Sequence, residues 1–250
     1  MDWADEAIVL GARKHGETSA IVTLLTREHG RHAGLVRGGA GRRARGVYQP
    51  GNQVAARWRA RLSEHLGTFT SELVRARAHL LLGDPLRLAA LTSACAVAEV
   101  AVPERHPYPK LYEGLLALLD ALQGDGESWG EAYVRWELGL LEELGYGLDL
   151  TRCAATGART GLAYVSPSSG RAVSHAAGAP YRDKLLPLPR FLVGEGRGGA
   201  RELAQGLTLT GHFFARHVFA AQGRGLPAAR TRFIDRLSRI APTSSGERRS

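Results

Sequence analysis

The spacing of apolar residues changes near residue 80, and this change limits the folds that the chain can adopt. Before residue 80, apolar residues form short runs of strand length, separated by Gly, Asn, Pro and charged residues. These runs are Ala7–Leu10, Ala20–Thr26, His32–Val36, Asn52–Trp58 and Gly67–Leu73. After residue 80, apolar residues recur at intervals of three and four, which is typical of one face of an α-helix. The pattern predicts an α+β, multi-domain protein whose strands come first.

Five short strands within about 75 residues match the size of a small Greek-key barrel of the oligonucleotide-binding (OB) type. A barrel of the SH3 type is an alternative of similar size. We predict an N-terminal five-stranded OB-fold barrel over residues 1–80, acting as a nucleic-acid-binding domain.

Residues 81–242 are predicted to form an α-helical bundle. Asp84 and Pro85 supply a helix N-cap followed by proline at the first helical position, and helical spacing continues to Val102. Four further helices are expected, at Pro109–Gln123, Ser128–Leu144, Ala200–Gln222 and Leu226–Ile240.

Two segments lack helical spacing. Residues 151–199 are rich in Gly and Pro, and they predict a loop-rich insertion with at most a short hairpin at Leu162–Val165. Residues 243–250 are expected to be a disordered tail.

Charge is divided unevenly along the chain. The chain has 33 Lys and Arg against 24 Asp and Glu, a formal net charge of +9. Residues 1–80 carry +6, residues 81–150 carry −8 and residues 151–250 carry +11. An excess of positive charge at both ends favours polyanionic partners such as nucleic acid.

The strongest local signal is a run of Gly and Arg over residues 37–46, followed by alternating arginines at 57, 59 and 61. Glycines let the backbone approach a phosphate, and guanidinium groups bind phosphate oxygens in pairs. The first group is expected in a loop and the second on one face of a strand, as a basic ridge. The alternative is a flexible, solvated hairpin. The predicted DNA-binding residues are Arg37, Arg42, Arg43, Arg45, Arg57, Arg59 and Arg61.

Other motifs argue against catalysis. A dinucleotide-type spacing at Gly194, Gly196 and Gly199 lacks a preceding strand and a following ribose-binding acid, so it is interpreted as a flexible loop. Glu137, with its acidic neighbours, is interpreted as part of a solvated helix face. No catalytic residue, metal site or cofactor is expected.

Membrane and secretory signals are not found. The most apolar stretch, 88–102, is 15 residues long and contains Glu99, whereas a bilayer requires about 20 apolar residues. Two cysteines, Cys95 and Cys153, are too few for a disulfide framework. A cytoplasmic, nucleoid-associated protein is expected.

Several segments together resemble the RecO family of DNA repair proteins. They are Ala7–Leu10, His15–Val22, Leu24–Arg31, Gly34–Gly39, Gln49–Asn52 and Glu143–Leu150. The resemblance extends over roughly residues 1–240 and implies an N-terminal OB-fold and a helical domain that contacts protein partners. It further implies binding of single- and double-stranded DNA and annealing of complementary strands. With RecR, such a protein mediates loading of RecA onto strands coated by single-stranded DNA-binding protein (SSB), whose C-terminal tail it contacts.

One segment departs from the family pattern. Many members carry a four-cysteine zinc module, but here only Cys153 remains, and Thr156, Ser174 and Ala177 stand at the other ligand positions. Even with His175 recruited, two ligands do not make a structural zinc site, so a degenerate, metal-free module is expected. Two alternatives to the mediator function stay open: a general nucleic-acid chaperone without a RecA-loading role, and a nucleotide-dependent enzyme.

Overall fold

The N-terminal part of this computed structural model, which describes residues 1–240, is a closed five-stranded barrel. The strands are β1 (Asp2–His15), β2 (Ser19–Thr26), β3 (Gly30–Val36), β4 (Gln53–Arg59) and β5 (Thr68–Arg75). They follow one another around the barrel in the order β1-β2-β3-β5-β4, and β4 pairs with β1 to close it. The OB-type barrel expected from the sequence is confirmed. The tail expected at 243–250 lies outside the described residues.

The first strand is longer than the apolar run that predicted it. β1 spans 14 residues and pairs with β4 through its first half and with β2 through its second half. Ala7 and Val9 point into the barrel core, whereas Ile8 and Leu10 point outward into the core of the helical region. Because both faces of this stretch are covered, the run is continuously apolar and shows no alternation.

The barrel closes weakly between β3 and β5. These parallel strands pair at Leu35 and Thr68, and β5 then continues to Arg75. Within residues 1–240, no strand pairs with that side of β5 beyond Thr68. We call this unpaired side of β5 the open edge. A short helix, α1 (Arg42–Val47), follows β3 and lies across from it.

The rest of the described chain is mainly helical. Its long helices are α2 (Pro85–Ala101), α3 (Pro109–Gln123), α4 (Trp129–Glu143), α6 (Ala200–Phe213) and α7 (Ala228–Ile240). The Asp84 carboxylate accepts hydrogen bonds from the backbone N–H groups of Leu86 and Arg87 at 3.1 and 3.0 Å, which confirms the predicted N-cap. After α6 the chain stays helical but changes pitch, first to a π-helix (Phe214–Phe219) and then to a 3₁₀ turn (Ala220–Gln222).

The insertion is more ordered than predicted. It contains a three-stranded sheet of β6 (Leu162–Val165), β7 (Ala172–Ser174) and β8 (Leu186–Pro187), with a short helix α5 (His175–Gly178) after β7. The expectation of at most one hairpin was wrong, because strands of two to four residues are too short to show alternation.

A buried ion pair ties three helices together. Arg230 of α7 donates two hydrogen bonds to the Glu137 carboxylate of α4, at 2.7 and 2.8 Å, and Thr210 of α6 donates to the same carboxylate. Glu137 is 0% exposed and Arg230 is 1% exposed. The interpretation of Glu137 as part of a solvated face was therefore wrong.

The barrel and the helical region are joined by ion pairs and by close backbone packing. Arg31 pairs with Glu104 at 3.1 Å, and Arg77 pairs with Asp120 of α3 at 2.7 Å. Gly30 has a φ of +69°, and a Cβ there would lie 1.9 Å from the His106 carbonyl oxygen. The interface therefore leaves no room for a side chain at Gly30. Within residues 1–240, none of the helices combines the length and the hydropathy that crossing a membrane requires.

Candidate nucleic-acid interface

Three of the predicted arginines lie on a helix. Arg42, Arg43 and Arg45 belong to α1, which has no buried residue. The sequence predicted a glycine-rich loop here, and that prediction was wrong for residues 42–47. Arg and Ala favour helices intrinsically, and the flanking glycines hid a helix only six residues long.

Four contacts fix the position of α1. A Cβ on Gly39 would lie 2.8 Å from the Ala20 Cβ, so only glycine allows the chain to pass β2 this closely. The Ala40 N–H donates to the Thr18 carbonyl at 2.9 Å. At the other end, the Asn52 side-chain amide donates to the carbonyls of Gly46 and Val47 at 3.0 and 3.1 Å. These bonds satisfy carbonyls that the end of a helix leaves without partners.

Asn52 also connects α1 to the interface with the helical region. Its side-chain oxygen accepts a hydrogen bond from the Arg77 backbone N–H at 2.9 Å. Sequence reasoning placed Asn52 only at the turn that starts a strand-length run and missed this positioning role. The signal was present as an Asn directly after Pro50 and Gly51, since Asn in turns commonly bonds to nearby backbone.

A hollow of about 1150 Å³ lies between α1 and the open edge of β5. Arg37, Arg42 and Arg43 line it, together with the β5 segment Phe69–Leu73. Arg45 is exposed on α1 but does not line the hollow. The structure thus brings together three of the four arginines of the Gly-Arg run around one concave surface.

The arginines of β4 lie on the neighbouring surface. Arg57 and Arg59 are exposed on the outer face of the strand, while Trp58 between them points into the barrel. β4 ends at Arg59, so Arg61 lies in the following turn and does not extend the ridge as predicted. Arg57 lines a second hollow of about 400 Å³, whose wall includes residues 70–72 of β5. Because the same residues line the first hollow, the two surfaces meet along β5.

None of the seven predicted arginines has an acidic partner at salt-bridge distance within residues 1–240. By contrast, four other barrel and linker arginines all contact carboxylates, namely Arg27, Arg31, Arg75 and Arg77. These guanidinium groups therefore lack ion-pair partners in this part of the chain, which favours binding of an anion.

Aromatic rings near these surfaces are mostly buried. Tyr48, Trp58 and Phe69 are each at most 6% exposed, and the Trp3 ring is stacked on His29 at 4.2 Å. Their faces are therefore not open for bases to stack on. The arrangement favours electrostatic contact with a phosphate backbone over base stacking.

His32 is buried among these rings. Neither ring nitrogen has a hydrogen-bond partner within residues 1–240. Burial, together with the nearby positive charge of Arg105, lowers the pKa of His32 to about 4. His32 is therefore neutral at physiological pH and acts as a core residue.

The dinucleotide-type loop is already occupied by a side chain of the protein. The Gly198 N–H donates to the Glu131 carboxylate at 2.8 Å, and residues 190–193 before the loop form a 3₁₀ turn where the motif requires a strand. A carboxylate thus takes one of the N–H groups that would bind a pyrophosphate.

Comparison with known proteins covers almost the whole chain. Residues 1–77 match the family model Recombination protein O N terminal, and residues 82–224 match Recombination protein O C terminal. The chain belongs to the RecO family. DNA repair protein RecO of Rhodospirillum centenum is 63% identical over 248 residues, covering 98% of both chains. The RecO proteins of Rhodospirillum rubrum and Cereibacter sphaeroides are 53% and 52% identical, each covering 96% of this chain and 97% and 99% of their own. The family places this chain among DNA repair and recombination proteins.

The residues of the insertion do not fit the zinc site that the family pattern implies. The Cys153 sulfur accepts a hydrogen bond from the Ser174 N–H at 3.2 Å, and the Ser174 hydroxyl accepts one from the Ala177 N–H at 3.5 Å. Burial raises the pKa of the Cys153 thiol, but hydrogen bonds from Ser174 and Thr156 outweigh it and bring that pKa to about 6. One thiolate, two hydroxyls and a methyl group are not a structural zinc ligand set. Across residues 1–240, no group of three or more His, Cys, Asp or Glu is arranged to hold a metal.

Proposed function

We propose that this RecO-family protein is a non-enzymatic recombination mediator. It binds single- and double-stranded DNA, anneals complementary strands, and with RecR helps to load RecA onto SSB-coated strands. The observation that supports this proposal most strongly is a set of seven arginines without an acidic partner within residues 1–240, four of which line two hollows that meet along β5, namely Arg37, Arg42, Arg43 and Arg57. In this proposal the barrel domain binds DNA and the helical domain contacts protein partners.

The mechanism is charge neutralisation. Two DNA strands repel each other through their phosphates, and guanidinium groups that bind phosphate oxygens reduce this repulsion. Contacts to phosphates carry no sequence information, so any complementary pair is a substrate. The step needs no cofactor and no nucleotide hydrolysis.

The first test is the salt dependence of DNA binding. If about six phosphates are neutralised, log K should fall against log salt with a slope of roughly −4 on single strands. Binding should also be indifferent to sequence. A slope near zero would rule out a phosphate-binding surface.

The second test reverses the charge of α1. The triple variant Arg42→Glu, Arg43→Glu and Arg45→Glu should lose DNA affinity and annealing together. Its free energy of unfolding should change by no more than about 0.5 kcal/mol per substitution, because these side chains are solvated. A matched triple variant, Arg159→Glu, Arg197→Glu and Arg201→Glu, makes the same charge change at exposed positions outside the barrel. If the matched variant loses binding and the α1 variant does not, the C-terminal basic block holds DNA instead.

The groove between α2 and α7 is the proposed contact for the acidic SSB tail. Its apolar lining residues include Leu82, Leu88 and Ala89, and its charged lining residues are Arg232 and Arg236. Leu82 is 70% exposed, and neither arginine has an acidic partner within residues 1–240. A lining that combines apolar side chains with two arginines suits a peptide that combines apolar residues with carboxylates.

Replacing Arg232 and Arg236 with Glu should abolish binding of a species-matched SSB tail peptide and leave DNA affinity unchanged. Fluorescence anisotropy measures both. Retained peptide binding would move the tail site elsewhere on the helical domain.

Annealing of bare and SSB-coated strands separates the mediator from a general chaperone. A mediator should accelerate both without ATP, whereas a chaperone without an SSB contact should act on bare strands alone. Binding of an ATP analogue would instead favour a nucleotide-dependent enzyme.

A further inference from the structure

The two hollows that hold unpaired arginines share a wall, and that wall carries a carboxylate. Glu72 of β5 lines the α1–β5 hollow with Arg42 and Arg43, and it also lines the β4 hollow with Arg57. Glu72 is exposed, and it is the acidic residue common to both surfaces.

The residues next to Glu72 do not compensate its negative charge. On β4 its cross-strand partner is Ala55, which has no charge to offer. Glu6, opposite Ala55 on β1, is paired with Arg27 at 3.6 Å, so its charge is compensated. No basic side chain lies at salt-bridge distance from Glu72 in the part of the chain that the structure describes.

We propose that Glu72 weakens the grip of these surfaces on DNA and speeds the release of a bound strand. This inference rests on the proposed DNA-binding function. A phosphate held by Arg42 or Arg57 lies on a surface that Glu72 also borders, so the two negative groups repel each other. The arginines supply the attraction, and Glu72 limits it. An annealing protein must release the duplex it has made. A repulsive carboxylate at this position would help that release.

The test is Glu72→Gln, which removes the charge and keeps the shape. Affinity for a single-stranded oligonucleotide at about 0.1 M salt should rise about two- to fivefold, the range that one exposed charge contributes. Most of the gain should appear as a slower dissociation rate, measured by stopped-flow competition. The gain should shrink as salt is raised, because salt screens the repulsion.

Two controls separate this effect from others. Glu72→Asp keeps the carboxylate and should bind and release DNA like the wild type. Asp125→Asn makes the same change in net charge at an exposed loop between α3 and α4, and it should leave DNA affinity unchanged. Thermal melting of each variant shows that the fold is intact.

The outcomes distinguish the inference from the proposed function. If the triple α1 variant loses DNA binding and Glu72→Gln binds and releases DNA like the wild type, the role of Glu72 is refuted and the DNA site stands. If the triple variant still binds DNA normally, the DNA site itself is wrong. An equal gain from Asp125→Asn would assign the effect to net charge and also refute the role of Glu72.

Discussion

The two sides of the barrel use arginine in opposite ways. On the side that faces the helices, Arg27, Arg31 and Arg77 each contact a carboxylate of the helical region. Away from the helical region, the seven arginines of residues 37–45 and 57–61 have no acidic partner within residues 1–240. The acidic middle segment of the chain thus neutralises only the arginines that it touches. Paired arginines here hold the barrel against the helices, and the unpaired ones are those proposed to bind DNA.

The largest expected effect comes from a paired arginine in the helical core. Arg230→Ala leaves the Glu137 carboxylate buried without its partner, and breaking such a pair costs about 3–5 kcal/mol. Urea unfolding should show this loss, while DNA affinity at a temperature where the variant is folded stays unchanged. The matched variant at an unpaired arginine, Arg45→Ala, should lower DNA affinity and leave the free energy of unfolding unchanged. Equal stability losses in the two variants would show that pairing does not decide which arginines hold the structure.

Acid should destabilise the barrel through His32. Its pKa of about 4 lies below the ordinary value of 6.5, so the unfolded chain takes up a proton more readily between these values. Stability that is present above pH 6.5 is lost as the pH falls towards 4, by about 3 kcal/mol in full. His32→Phe should flatten this part of the stability profile, and the fluorescence of Trp3 and Trp58 should report the transition. A profile with the same slope in His32→Phe would assign the loss to other groups.

A smaller loss of stability is expected where removal of a paired arginine leaves a carboxylate that is exposed to water. Arg77 is buried and bonds to Gln53 and to Asp120, but Asp120 is half exposed and water can solvate it. Arg77→Ala should therefore cost about 1–3 kcal/mol, less than Arg230→Ala. Chemical denaturation measures the difference. A larger loss than for Arg230→Ala would show that partner exposure does not set the cost.

No effect is expected from removal of metal. Purified protein should contain well below one equivalent of zinc, and a chelator should leave the melting temperature unchanged, since Cys153 is the sole thiolate in the module. Stoichiometric zinc would mean that charge and packing alone do not hold the insertion in its folded form.

Periodicity predicted the large elements well. The strands of the barrel and the long helices follow from apolar spacing and from caps such as Asp84, because these signals are local. The α1 helix and the sheet of the insertion were missed, since elements of two to six residues show no period.

It was harder to predict which charged residues are buried and paired than to predict the large secondary-structure elements. Glu137 and Arg230 are 93 residues apart, and nothing in the local pattern of either helix indicates that they meet. The same holds for Arg77 and Asp120. The seven DNA-binding candidates follow from a Gly-Arg run and from alternating arginines, and neither local pattern shows that Arg61 lies off the strand or that Glu72 lines the same hollow as Arg42.

The outward-facing side chains of the first two strands have a consequence for how the protein is made. Ile8, Leu10 and Leu25 belong to the helical core, although they lie on the barrel. On the ribosome the barrel emerges first, and these side chains stay in water until α2 has been synthesised to cover them. A fragment that ends at residue 80 keeps them bare permanently and is expected to aggregate. The boundary between the two family models therefore divides the sequence at a point where the folded molecule is continuous.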